Sequence, residues 1–291
     1  MGAHQSIAGG TPLAVERAVA TGCRVLQIFV KNNARWEGKA ISAAEARAFR
    51  AAVREAELLA VCAHASYLIN LASASSEIRR RSVAALADEI ERCAQLGIPD
   101  LVLHPGSHGG EGESRGVARI AAGLDEAFRR ARSSRVRVLL EGAAGQGACV
   151  GHRFEHLRDI AGASRSPHRL GVCLDTCHTL AAGYDIASEE GWSRTIAALD
   201  ATFGLEKLRA IHANDSRRPL GSRVDRHGHV GAGYVGRAGF GNLLRDPRLT
   251  AVPKYLETPK DPNGDWDRQN LARLRRLSRT PPRAGGRGSR P

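Results

Sequence analysis

Nine histidines and carboxylates fall where a single site could gather them. Apolar runs at residues 60–65, 100–106, 136–142, 170–175, 208–214 and 252–258 carry His64, His104, Glu141, Asp175, His212 and Glu257 at or near their ends. Two local pairs extend the set. Asp175-Thr-Cys-His178 adds a donor about one turn beyond a run, and Asp225-Arg-His227 has the i, i+2 spacing that puts both side chains on one side of an extended loop. Any one of these residues alone would pass for a hydrogen-bonded core residue. Six in series ask for a shared partner, because buried imidazoles and carboxylates are costly without one, and a cation supplies it. Nine donors exceed the four that zinc usually takes, so two or three ions sharing a bridging carboxylate fit better. An imidazole-rich set without cysteine suits Zn(II), with Mn(II) as the alternative. Clustered divalent ions of this kind activate a bridging water and clamp the oxygens of a phosphodiester.

Eight short apolar runs must hold these donors: residues 2–4 and 25–30 precede the six above. Between and after them lie helical patterns at 12–22, 42–58, 76–96, 113–132, 153–163, 188–203, 237–245 and 265–277, with apolar spacing such as Val83, Leu86, Ile90 and Cys93. This α/β alternation predicts a TIM (β/α)8 barrel as one domain over residues 1–277, with strand ends converging on one face. Its first strand is truncated, since only three residues precede His4. Residues 278–291 lack apolar periodicity and read as a disordered Arg/Gly/Pro tail. With 42% apolar and 25% charged residues, the chain is not of a disordered or collagen-like class. No apolar run approaches the ~20 residues of a membrane helix, and the start lacks a secretory pattern, so a cytoplasmic protein is expected; it is also expected to be a monomer. The six cysteines form no Cys-x-x-Cys pair, and most of them read as buried thiols.

Ordered along the chain are Gly-Ala-His4-Gln-Ser-Ile-Ala-Gly-Gly, Gln27-Ile-Phe-Val-Lys-Asn, His64-Ala-Ser-Tyr67-Leu-Ile-Asn, Leu103-His104-Pro-Gly-Ser-His, Leu140-Glu141-Gly, Cys173-Leu-Asp175-Thr-Cys-His178, Ile211-His212-Ala-Asn-Asp-Ser216, Asp225-Arg-His227 and Leu256-Glu257-Thr-Pro. These segments resemble the endonuclease IV family, the zinc-dependent apurinic/apyrimidinic endonucleases also called deoxyribonuclease IV, over roughly residues 2–277. The resemblance implies three zinc ions. His64, His104 and Glu141 would hold the first, Glu141 would bridge to a second completed by Asp175, His212 and Glu257, and His178, Asp225 and His227 would hold the third. It further implies a DNA-repair hydrolase of base excision repair. The expected reaction cuts the phosphodiester 5′ to an abasic site in double-stranded DNA by attack of a bridging hydroxide, with Glu141 as the catalytic bridging residue, and a second activity clears blocked 3′ ends. Tyr67 and Leu68 stand where the family fills the gap in the DNA stack.

The chain also departs from the family pattern. The DNA-probing arginine usually falls where Ala34 stands, and Arg35 follows one place later. Gly142 replaces the asparagine common after the bridging glutamate, and His227-Gly-His229 lacks the glutamate common after the histidine. His4, near the terminus, is not assigned as a ligand, and His108 and His229 read as a loop and a surface residue. Gly231-Ala-Gly233-Tyr-Val-Gly236 spells G-x-G-x-x-G but follows no buried strand, so dinucleotide binding is not expected. Two other readings remain open: a barrel sugar isomerase or epimerase, which would not need the third donor set, and a DNA-binding protein with a structural zinc cluster. Net charge, +13, is a weak guide, because eight arginines and no acid follow Asp267.

Overall fold

The computed structural model describes residues 1–131 and 135–279. Eight parallel strands close a barrel in chain order: β1 Gly2–Gln5, β2 Val25–Phe29, β3 Ala60–His64, β4 Asp100–Leu103, β5 Arg137–Glu141, β6 Leu170–Asp175, β7 Leu208–His212 and β8 Lys254–Leu256. Short as it is, β1 pairs on both sides, Ala3 lying opposite Leu26 of β2 and Leu256 of β8, so the barrel closes. Nine helices surround or cap it among the described residues: α1 Thr11–Ala20, α2 Ala43–Glu55, α3 Ser76–Leu96, α4 Glu113–Arg130, α5 Phe154–Ala163, α6 Thr176–Ala182, α7 Glu189–Phe203, α8 Gly236–Arg245 and α9 Asp265–Arg279.

Local chemistry sets these boundaries. Ser42, Ser75 and Ser188 each accept a backbone N–H three residues on and so start α2, α3 and α7, while Gly97 ends α3 in the left-handed conformation. The barrel interior is filled by Val25, Cys62, Val102, Leu139, Cys173, Ala210 and Tyr255, and a larger apolar layer lies between strands and helices. The barrel is therefore plugged, and polar strand ends have room only at its C-terminal mouth. No described helix is long and apolar enough to cross a membrane.

The structure corrects several boundaries. β4 stops at Leu103, leaving His104 just beyond it, because Gly106–Ser107 turns away to pair with Cys149–Val150 in a separate ribbon. β7 stops at His212, and Asp215–Ser216 pairs with His227–Gly228 in a second ribbon. β8 is only Lys254–Leu256, so Glu257 also follows its strand. A helix not anticipated, α6, starts directly from β6 without a loop. α9 runs on through Ser278 and Arg279, two residues into the expected tail, and residues 280–291 lie outside the described residues.

Candidate metal centre

All nine predicted donors meet at the barrel mouth. Glu141, at the end of β5, is fully buried; its Oε2 lies 3.1 Å from His64 Nε2 and 3.4 Å from His104 Nε2, and its Oε1 lies 2.8 Å from His212 Nδ1. His212 Nδ1 is also 3.2 Å from Glu257 Oε2 and 3.9 Å from Asp175 Oδ2. On the other side, His178 Nε2 is 3.2 Å from Asp225 Oδ2, and His227 Nε2 is 3.3 Å from Asp225 Oδ1 and 3.6 Å from Asp175 Oδ2. His64, His104 and Glu141 form one group able to hold an ion, and His178, Asp225 and His227 form another. The ribbon between 215–216 and 227–228 delivers the second group, because it folds the distant loop carrying Asp225 back over α6.

The layer behind the donors decides which ring nitrogen faces the site. His64 Nδ1 donates to Ala65 O at 2.7 Å, His178 Nδ1 to Gly142 O at 3.0 Å, and His227 Nδ1 to Glu257 O at 3.3 Å, leaving Nε2 free to face the centre. His212 is turned the other way: its Nε2 donates to Gln27 Oε1 at 2.8 Å and presents Nδ1. Asp175 caps α6 by accepting the His178 N–H at 2.8 Å, and Asn214 Nδ2 donates to its other oxygen at 2.6 Å. The strand-to-helix junction thus fixes Asp175 and His178 together.

Electrostatics point the same way. The cationic partners of Glu141, Asp175, Asp225 and Glu257 among the described residues are imidazoles. Burial would raise the Glu141 carboxyl, but His104 and His212 outweigh it and hold it well below its usual range. Burial is likewise overcome at Glu257 and Asp225, each held at about 2 by the surrounding histidines. Burial opposes charge on His212 and His178 too, yet Cys173, Glu257 and Glu141 around the first and Asp175, Asp225 and Glu141 around the second push both well above the ordinary value. Without an ion, the carboxylates draw protons onto the imidazoles; divalent ions would take the place of those protons. The donor chemistry therefore fits a multinuclear divalent centre. Cys173 and Cys177 also come within 4.8 Å of donor atoms, but burial holds each thiol up at about 12, where it stays protonated and a poor ligand.

Tyr67 stands at the rim, 61% exposed, with its ring 5.5 Å from that of His64 and 5.6 Å from that of Phe29. Leu68 beside it is half-buried, and Arg35 projects exposed from the loop after β2. His108 accepts the Gly110 and Gly112 amides as a loop organiser, and half-buried His229 packs against Trp266. Gly142 supplies support with its carbonyl in place of a side chain. The G-x-G-x-x-G loop has its Gly233, Val235 and Gly236 amides bonded to the Asp215 carboxylate. Sequence reasoning missed Gln27 and His4 as parts of the site. Gln27 Nε2 donates to Glu257 Oε1 and lies 3.1 Å from His4 Nδ1, and burial drives His4 down to about 3, so this ring is neutral. A polar residue between Leu26 and Ile28, inside an apolar run, was the available signal.

Comparison with known proteins agrees with the barrel fold. Residues 15–277 match the family described as xylose isomerase-like TIM barrel. The chain is 47% identical over 277 residues to the probable endonuclease 4 of Citrifermentans bemidjiense, covering 95% of this chain and 98% of that protein. It is 47% identical over 276 residues to that of Chloroflexus aurantiacus, covering 95% and 97%. The crystal structure of endonuclease IV from Thermus thermophilus superposes with a TM-score of 0.84 at 41% identity, covering 94% of this chain and 97% of that one.

Proposed function

Because the chain belongs to the endonuclease IV family of xylose isomerase-like TIM barrels, we propose that it hydrolyses the DNA phosphodiester 5′ to abasic sites in double-stranded DNA and also clears blocked 3′ ends. The observation that carries this reading is the ring of nine donors whose buried carboxylates have only imidazoles as cationic partners among the described residues. His64, His104 and Glu141 would hold one zinc ion; Glu141, Asp175, His212 and Glu257 a second; His178, Asp225 and His227 a third, with Mn(II) acceptable at one position. When bound, these ions supply the Lewis acidity that makes water a nucleophile at neutral pH and stabilises charge on the phosphate and the departing 3′ oxygen.

The chain's own residues do the rest. Backbone carbonyls and Gln27 hold four imidazoles in fixed tautomers, so the ligand atoms need no reorganisation when substrate arrives. Tyr67 and Leu68 on the loop after β3 would fill the gap where a base is missing, the place where turning a sugar out of the stack costs least. Arg35 would probe the backbone from the neighbouring loop. A third donor set beside the first two disfavours an isomerase, and the open mouth disfavours a purely structural cluster. The test is a duplex with one abasic site, incubated with and without chelator, alongside determination of bound metal. A 5′ nick that chelator abolishes and zinc restores is expected. An intact duplex with about three zinc ions bound would overturn the activity.

A further inference from the structure

The two loops assigned to DNA contact share one buried anchor outside the metal centre. Lys31, at the start of the loop after β2, is buried, and its Nζ donates to Trp36 O at 2.9 Å, pairs with Glu89 Oε1 at 3.2 Å and donates to Asp88 Oδ2 at 3.2 Å. Glu89 on α3 is also buried, and its Oε2 accepts the Ser66 N–H at 3.1 Å. Ser66 precedes Tyr67; its Oγ donates to Asn33 O at 2.6 Å and accepts the Leu68 N–H at 3.3 Å. Arg35 therefore lies between two tethered carbonyls, those of Asn33 and Trp36, and Tyr67 lies directly after a residue tied to the same carboxylate. Arg92, one turn along α3, adds bonds to Gly38 O at 2.9 Å and Lys39 O at 2.8 Å. A buried carboxylate paired with a buried ammonium is costly to keep for stability alone, since apolar residues of similar size often serve as well. Its connections give it another use.

Resting on the reading that these loops face DNA, we propose that the Lys31–Glu89 ion pair is a strut that joins the Arg35 loop to the Tyr67 loop, so that both meet the lesion as one preorganised unit. Glu89 is a positioning residue: it touches neither metal ligand nor substrate. In Glu89→Gln the Ser66 contact can persist while the charge pairing with Lys31 is lost. The KM for an abasic duplex should rise about tenfold, the cost of one charge-assisted bond, with kcat little changed. Turnover of bis(p-nitrophenyl) phosphate, which needs the metal centre and not the loops, and the metal content should stay as in the unaltered protein. Starting from an Arg35→Ala, Tyr67→Ala variant, Glu89→Gln should raise KM no further; an additive rise would overturn the strut. Lys31→Arg keeps the ion pair and should retain most of the affinity. Amide hydrogen exchange gives a readout independent of DNA cleavage: in Glu89→Gln, segments 31–39 and 65–69 should exchange faster together. Acceleration of only one segment, or of neither, overturns the coupling even if the protein proves not to cut abasic DNA.

Discussion

Two clusters of histidine and carboxylate among the described residues have opposite electrostatic designs. At the mouth, Glu141 and Asp175 are buried among imidazoles. Near the start of α4, Glu113 lies 3.1 Å from His156 Nε2 and 3.6 Å from His152 Nε2, a grouping that also places three donor atoms within reach of one ion. There, however, Arg153 Nη2 sits 3.0 Å from the Glu113 carboxylate, and the Glu113 side chain is 39% exposed. The ring nitrogens differ as well. His156 Nδ1 accepts the Gly151 N–H at 3.2 Å, and its Nε2 is engaged by the Arg153 guanidinium, whose Nε lies 3.1 Å away, so neither ring nitrogen stands bare. Donor proximity alone does not make a metal site; what distinguishes the mouth is that its ring nitrogens face inward bare and, among the described residues, its buried charge has no cationic side chain other than histidine.

The comparison breaks most clearly if Glu141 is dispensable. Glu141→Gln should reduce cutting by at least about 10³-fold while abasic-duplex binding remains detectable by fluorescence anisotropy; near-normal cutting would refute the bridging assignment. Next in size is metal removal. In chelated protein, His178 and His212 have pKa values raised above those of the unfolded chain, so their contribution to stability is present below about pH 6.5 and lost as pH rises through the raised values. Glu113 and His156 are shifted down: burial dominates at His156, and at Glu113 the bond to His156 and the charge of Arg153 outweigh burial. Their contribution is lost as pH falls. Chelated protein should therefore melt at lower temperature at about pH 9 than at about pH 6, and added zinc should restore more stability at the higher pH. A zinc gain that is the same at both pH values would contradict the proton-for-metal exchange.

The mouth was legible because a parallel barrel converts strand ends into neighbours, so residue type at the end of each apolar run was enough to gather His64, His104, Glu141, Asp175, His212 and Glu257. The 178, 225 and 227 set was legible only through local pairing and family likeness. What assembles it is the ribbon pairing Ser216 with His227, a long-range contact with two-residue strands too short to show periodicity. α6 was invisible for a related reason: Asp175 is at once the last residue of β6 and the cap of the helix, so no loop composition announces the boundary. Gln27 carries no charge and occurs in a strand, and its role comes from four partners distant in sequence, His4, Cys62, His212 and Glu257.

Smaller effects sharpen the contrast. Gln27→Ala frees His212 Nε2 and one Glu257 oxygen, and should weaken metal retention by about 10–100-fold in a competition titration with a chromophoric chelator; unchanged retention would mean the His212 tautomer is fixed by the donors alone. The smallest effect belongs to the other cluster. Glu113→Gln removes a carboxylate that is partly in water and shared with Arg153, which is itself 54% exposed, so solvent screening limits the loss to roughly 1 kcal/mol or less in chemical denaturation. Bound metal and cutting should both equal those of the unaltered protein, because Gly151 engages Nδ1 of His156 and Arg153 engages its Nε2, leaving no bare ring nitrogen for an ion. If Glu113→Gln released a stoichiometric share of metal, this distinction between the clusters would fail, and the guanidinium of Arg153 would have to be read as displaced by a bound ion.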